Sequence, residues 1–205
     1  STTISLFSNL IFKGVGRHPK IGKKKGGIKV HTVIHANEGI PSDIKFTSAA
    51  TNDSFMLRPG RLSKGDIVAM DRAYINYEKF EELTQRGVIY VTKMKKSLRY
   101  EVLEDVMYQT PEGYMEVRIQ YVEFTKLLKD GQSITHKARL ITYADVQKRR
   151  IITLLTNDME FDPTEIIAIY RQRWEIELLF KQLKQNFPLK YFYGESANAI
   201  KIQIW

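Results

Sequence analysis

The sequence predicts a mixed α/β fold, and two kinds of pattern carry that expectation. Short continuous apolar runs at 67–70, 88–92 and 151–156 read as strands buried in a sheet, while 28–36, 44–50, 115–121 and 138–143 are strand-like in composition or alternation. Helical periodicity follows the first run over 74–86, and a long helix opens at Asp162-Pro163-Thr164-Glu165, with proline in its first turn.

The chain has 205 residues, enough for one domain with a sizeable insertion or for two small ones. At 43% hydrophobic and 27% charged it is globular in composition, not disordered. Lys and Arg number 32 against 23 Asp and Glu, a net charge of +9, which favours a polyanionic partner, nucleic acid or an acidic membrane surface. No apolar run approaches the ~20 residues needed to span a bilayer, and the first residues lack a charged and cleavable leader. The absence of cysteine excludes disulfides and thiolate metal sites and is compatible with a cytoplasmic protein. The chain opens without Met in strand-like sequence and closes on an apolar-periodic stretch with no stop signal, so it reads as a piece of a longer chain.

In order, residues 2–7 alternate as a strand. Residues 13–29 then interleave Lys13, Arg17, His18, Lys20, Lys23, Lys24, Lys25 and Lys29 with five glycines. Such a stretch is either a flexible basic loop or a contact to phosphates, and its spacing is not that of a P-loop. Two strands meet at an Asn37-Glu38-Gly39 turn, with His31 and His35 on one strand face. These histidines read as packed or hydrogen-bonded side chains, since no carboxylate motif nearby makes them metal ligands. Asp53-Ser54 reads as a helix N-cap.

The 67–70 run, expected to be buried on both faces, ends in Asp71-Arg72-Ala73-Tyr74. A carboxylate just past the C-terminal end of such a strand is where open α/β sheets place their ligands. On its own, Asp71 reads more simply as a turn or helix-cap residue. Residues 98–150 change character to a β-rich insertion with turn signals at Pro111-Glu112-Gly113 and Lys129-Asp130-Gly131.

Nothing in residues 170–184 breaks a helix. At about 100° per residue, Tyr170, Arg173, Glu177 and Lys184 fall within an arc of roughly 60°, beside an apolar stripe of Ile169, Ile176, Leu179, Phe180 and Leu183. At 1.5 Å per residue the polar row would run about 21 Å, long enough to follow several phosphates. The simpler alternative is a solvated helix face.

Tyr170, Arg173, Glu177 and Lys184, with their spacing, match at all four positions the signature of the insertion-sequence-four family of DDE transposases, and Asp71-Arg72-Ala73-Tyr74 is similar to that family's second aspartate motif. The resemblance extends over nearly the whole chain and implies a ribonuclease-H-like mixed sheet flanked by helices. Residues 1–97 and 151–205 would form the two parts of the catalytic core, and 98–150 the β-rich insertion. It implies cleavage of DNA at transposon ends and strand transfer, dependent on Mg²⁺ with Mn²⁺ able to substitute. Asp71 and Glu177 would be catalytic metal ligands; Tyr170, Arg173, Lys184, Arg72, Lys23, Lys24 and Lys25 would hold DNA. The first catalytic aspartate would directly precede Ser1-Thr2-Thr3, so that residues 1–205 alone would be inactive. Double-stranded DNA, a second copy of the protein at the transposon ends, a bacterial cytoplasm and the nucleoid are the partners and setting implied. A DNA-binding protein that keeps this fold without catalysis is the alternative.

Overall fold

The computed structural model describes residues 1–6, 26–110, 115–127, 131–146, 149–186, 192–194 and 196–204. In chain order the strands are β1 (Thr2–Leu6), β2 (Gly26–His35), β3 (Ile40–Ser48), β4 (Ile67–Met70), β5 (Ile89–Lys93), β6 (Glu101–Gln109), β7 (Glu116–Leu127), β8 (Ser133–Asp145) and β9 (Arg150–Thr156). The helices are α1 (Tyr77–Gln85), α2 (Pro163–Gln172), α3 (Trp174–Asn186) and α4 (Ala197–Ile204). They fall into two compact units, Ser1–Met56 with Trp174–Trp205, and Leu57–Arg173.

In the first unit β1, β2 and β3 form an antiparallel sheet in that order. Successive side chains of a strand point to opposite faces. Ile28 and Val30 of β2 therefore share a face, and with Ile4 they pack against Ile200 and Ile204, which are neighbours one turn apart on α4. Lys29 and His31 occupy the opposite face of β2. The β2–β3 hairpin closes at Gly39, whose φ of +66° favours glycine at that position of the turn.

In the second unit six strands form one sheet in the order β4-β5-β9-β8-β7-β6. β4 and β5 pair in parallel, which requires a crossover such as the one that α1 makes between them, and all other pairs are antiparallel. Alternation along the central strands gives each face its own core. Tyr90, Leu140 and Leu155 face Phe80 and Leu83 of α1, while their neighbours Val91, Ile141 and Leu154 face Ile166 and Ile167 of α2. Burying a side chain the size of the fully enclosed Phe80 contributes about 1.5–3 kcal/mol. The unit is thus a mixed α/β layer structure with a helix on each face.

Several expectations change. β4 is not buried on both faces: it is an edge strand of this sheet, with Ile67 41% exposed and only Met70 buried. The long helix is not one α-helix, because Arg173 leaves it. Its N–H returns to the Tyr170 carbonyl three residues back, so α2 ends at Gln172 and α3 begins at Trp174. Gly26, Gly27 and Lys29, read as part of the basic loop, belong to β2. Lys23, Lys24 and Lys25 lie outside the described residues, as does the Pro111-Glu112-Gly113 turn. Residues 98–150 supply β6, β7 and β8, which extend the sheet of β4, β5 and β9. Among the described residues no helix is long and apolar enough to cross a membrane.

Candidate active site

Asp71 directly follows β4 and caps a single 3-10 turn, Arg72–Tyr74. Its Oδ1 accepts the Ala73 N–H at 2.9 Å, and the Tyr74 N–H returns to the Asp71 carbonyl at 3.0 Å. The turn thus fixes the carboxylate by its own backbone and leaves the side chain exposed at the strand end. The structural reading of Asp71 as a cap holds, and it is compatible with the catalytic one, because among the described residues only one carboxylate oxygen is used. Arg72 is exposed beside it and makes no core salt bridge among the described residues.

The signature row divides between the units. Tyr170 and Arg173 end the unit that holds Asp71, while Glu177 and Lys184 lie on α3 in the unit that holds Ser1. The structure brings the first pair together: the Arg173 guanidinium carbon sits 5.3 Å from the centroid of the Tyr170 ring, within cation–π range. Tyr170 itself is half-buried against the Ile166–Ile167 cluster. Glu177 is half-buried in the first turn of α3, where a helix dipole favours a carboxylate, and Lys184 is exposed in the last turn, where it favours a cation. α2 is started by a full capping box. Asp162 accepts the Thr164 N–H at 2.8 Å and Glu165 accepts the Asp162 N–H at 3.2 Å.

Sequence reasoning missed a polar network in the first unit. Asp53 was expected to cap a helix; instead Asn52 accepts the Ser54 N–H at 3.0 Å, and the Asp53 carboxylate turns to β1 and β2. Its Oδ2 accepts the Ser1 hydroxyl at 2.9 Å, and its Oδ1 accepts Lys29 Nζ at 2.9 Å. Lys29 also donates to the Thr51 carbonyl at 2.7 Å. Burial would raise the Asp53 carboxyl, but the bonds from Lys29 and Ser1 outweigh it and hold it below the usual carboxylate range. His31, fully buried, bonds through Nε2 to the Thr47 hydroxyl at 2.8 Å, as a packed strand histidine should. Burial pushes its imidazole down to about 4 against the opposing pull of Asp53, so it is neutral near pH 7. The only signal in the sequence was the Lys29-x-His31 spacing, which puts both on one strand face.

A second polar network, with Tyr90 and His136 buried and Glu81 part-exposed, was also missed. The Tyr90 hydroxyl and His136 Nε2 are 2.6 Å apart, and His136 Nδ1 lies 2.9 Å from Glu81 of α1. It pins α1, the helix that follows the Asp71 turn, to the centre of the sheet.

Among the described residues no three metal-ligating side chains form a cluster. Asp71 by itself fits a hard divalent cation: it is an exposed carboxylate held by one oxygen, with the other taking no bond among the described residues. Glu177 supplies the same donor chemistry.

The second unit belongs to the broad class of mixed α/β folds, and it displays the Asp71 carboxylate just past the end of β4. Comparison with known proteins narrows it. The family model described as transposase DDE domain matches residues 1–205, and the chain belongs to that family. It is 27% identical over 179 residues to "Putative transposase y4zB" of Sinorhizobium fredii, covering 87% of this chain and 50% of that protein. It is 26% identical over 208 residues to "Putative transposase for insertion sequence element IS4SA" of Synechocystis, covering 100% of this chain and 55% of that one. The chain therefore spans about half the length of these relatives.

Proposed function

We propose that this chain is the catalytic part of a transposase that cuts DNA at the ends of its element and joins those ends to a target. Beside the family match, the observation that carries this reading is Asp71, exposed past β4 and fixed by its own turn with one oxygen free of it. In this reading Asp71, Glu177 and a carboxylate directly before Ser1 hold divalent metal within a ribonuclease-H-like core.

Two Mg²⁺ or Mn²⁺ ions, when bound, supply an activated water or 3′-hydroxyl and neutralise charge on the phosphodiester. The chain's own residues do the rest. Asp71 presents its carboxylate without a search through rotamers, because the Ala73 N–H holds it. Glu177 is held in the first turn of α3, so its carboxylate arrives on a rigid element. Arg173, braced on the Tyr170 ring, and Lys184 bind phosphates, and Arg72 adds a cation beside Asp71. Lys23, Lys24 and Lys25 add backbone contacts, and Tyr170 offers a ring to an unpaired base. Two copies of the longer protein, one at each transposon end, complete the assembly, in a bacterial cytoplasm at the nucleoid.

The test is a cleavage and strand-joining assay of the longer protein on DNA carrying the element's own ends, in Mg²⁺ or Mn²⁺. Binding to the same DNA is measured against salt. Each phosphate contact contributes about 0.9 to the slope of log affinity on log salt. Lys184→Ala should lower that slope by about one contact. Metal-dependent cutting together with that change supports the reading; salt-dependent binding without cutting would leave a DNA-binding protein that keeps the fold.

A further inference from the structure

The sheet edge that carries Asp71 also carries a concentration of positive charge. β4 and β5 run in parallel with Met70 paired to Thr92, so Asp71 and Lys93 leave neighbouring strands, about 4.8 Å apart, side by side. The chain continues as Lys93-Met94-Lys95-Lys96-Ser97-Leu98-Arg99, a stretch with four cations and no carboxylate. Arg72, exposed next to Asp71, lies at the same edge.

A charge run of this kind is ordinarily a solvated turn, and two observations set this one apart. It is anchored: the Met94 N–H donates to the Thr153 carbonyl of β9 at 2.9 Å, and the Leu98 N–H donates to the Lys95 carbonyl at 3.2 Å. Met94 and Leu98 pack against the cluster that contains Phe80, Tyr90 and Phe124, and the Tyr100 ring centroid is 5.7 Å from that of Phe124. The apolar side chains thus hold the loop to the sheet, while Lys96 and Arg99 are exposed and Lys95 is half-buried. Its charge is also uncompensated. Arg118 and Lys126 of the same unit are paired with Asp105 and Glu78, whereas Lys95, Lys96 and Arg99 make no ion pair among the described residues. Like charges held this close repel one another, and an anion laid across them relieves that repulsion.

We propose that residues 93–99 are a phosphate-binding loop for DNA, in which Lys95, Lys96 and Arg99 hold the sugar-phosphate backbone of the duplex beside Asp71. The inference rests on the transposase reading and adds to it the stretch of chain that carries DNA past the carboxylate. Contacts to phosphates fix position without reading sequence, so the loop holds the element's own end and unrelated DNA alike. A loop already held by Met94 and Leu98 loses less freedom on binding than an unanchored one would.

The experiment measures equilibrium binding of the longer protein, across a range of salt, to two duplexes: one carrying the element's own end and one of unrelated sequence. Lys96→Ala, which removes an exposed side chain, should lower the slope of log affinity on log salt by about 0.9. Removing all three cations with Lys95→Ala, Lys96→Ala and Arg99→Ala should lower it by about 2.7, on both duplexes. Lys95→Arg, Lys96→Arg and Arg99→Lys together keep the charge and should keep the slope. Lys137 is the control. Arg139 and Val91 both pair with Thr156, so Lys137 is level with Ile89, at the other end of the strands. Lys137→Ala should change the slope by much less than one contact. Unchanged slopes in Lys96→Ala, an equal loss in Lys137→Ala, or a loss confined to one duplex overturns the proposal. A protein that shows the expected slopes but never cuts DNA overturns the transposase reading and leaves the loop; one that cuts with unchanged slopes overturns the loop alone.

Discussion

The Arg173 guanidinium lies over the Tyr170 ring, 5.3 Å from its centroid, at the point where the backbone hydrogen bond tightens to three residues back. Tyr170 itself packs, half-buried, against the cluster that contains Ile166 and Ile167. Tyr170 thus acts first on Arg173, whatever it offers to a nucleotide.

Tyr170→Phe keeps the ring and should leave DNA affinity within about twofold, whereas Tyr170→Ala removes the platform. A cation–π contact of this kind is worth roughly 0.5–2 kcal/mol, so affinity should fall by about twofold to thirtyfold. Equilibrium binding at fixed salt measures both. If Phe weakens binding as much as Ala, the hydroxyl and not the ring carries the contact.

Acid should loosen the unit that contains His31. Its folded pKa of about 4 lies below the ordinary value of about 6.5, so between these pH values the unfolded chain binds a proton that the native one does not. Stability is therefore complete above pH 6.5 and falls as pH drops towards 4, by no more than about 1.4 kcal/mol per pH unit from this group. Denaturant melts from pH 7 to 4 should show the decline, and His31→Gln should flatten it. An equal decline in His31→Gln assigns the effect elsewhere.

The start of α2 depends on Asp162. The Thr164 hydroxyl and the Tyr108 hydroxyl both bond its carboxylate and, despite some burial, hold it below the usual carboxylate range. That stabilisation is present above the unfolded value near 3.9 and is lost as pH falls through the lower folded value. Asp162→Ala should cost about 0.5–2 kcal/mol at pH 7, read from the shift in denaturation midpoint. A neutral result would mean that Pro163 and the buried Ile166–Ile167 face set the helix start alone.

Local patterns in the sequence located most of the fold. The 67–70 and 151–156 runs, the Gly39 turn and the helix start at Asp162-Pro163 depend on a few neighbouring residues, and each lies where its pattern put it. What depends on distant partners was not legible. β6 is acidic and almost wholly exposed, so its pattern says nothing until β7 pairs with it. The exposure of Ile67 likewise follows from the place of β4 at the edge of the sheet, not from its own propensity. For the site, the residue types and spacing of Asp71 and the 170–184 row were readable, and the Tyr170–Arg173 contact follows from three-residue spacing on a helix. The Ser1–Asp53–Lys29 network was not, because its members are up to 52 residues apart and meet only through the close approach of Ala49 to Gly27.

The central claim is that Glu177 and Asp71 serve a metal-dependent cut in DNA. Its most direct measurement is cleavage of the element's own ends by the longer protein carrying Glu177→Gln, beside the unsubstituted protein, in Mg²⁺ and with DNA binding followed in parallel. The substitution keeps the side chain's shape but removes the charge a cation needs. The account predicts cleavage lowered by at least about a thousandfold, the rate lost with roughly 4 kcal/mol of transition-state stabilisation, at near-normal DNA affinity. Cleavage by Glu177→Gln at the unsubstituted rate would contradict it.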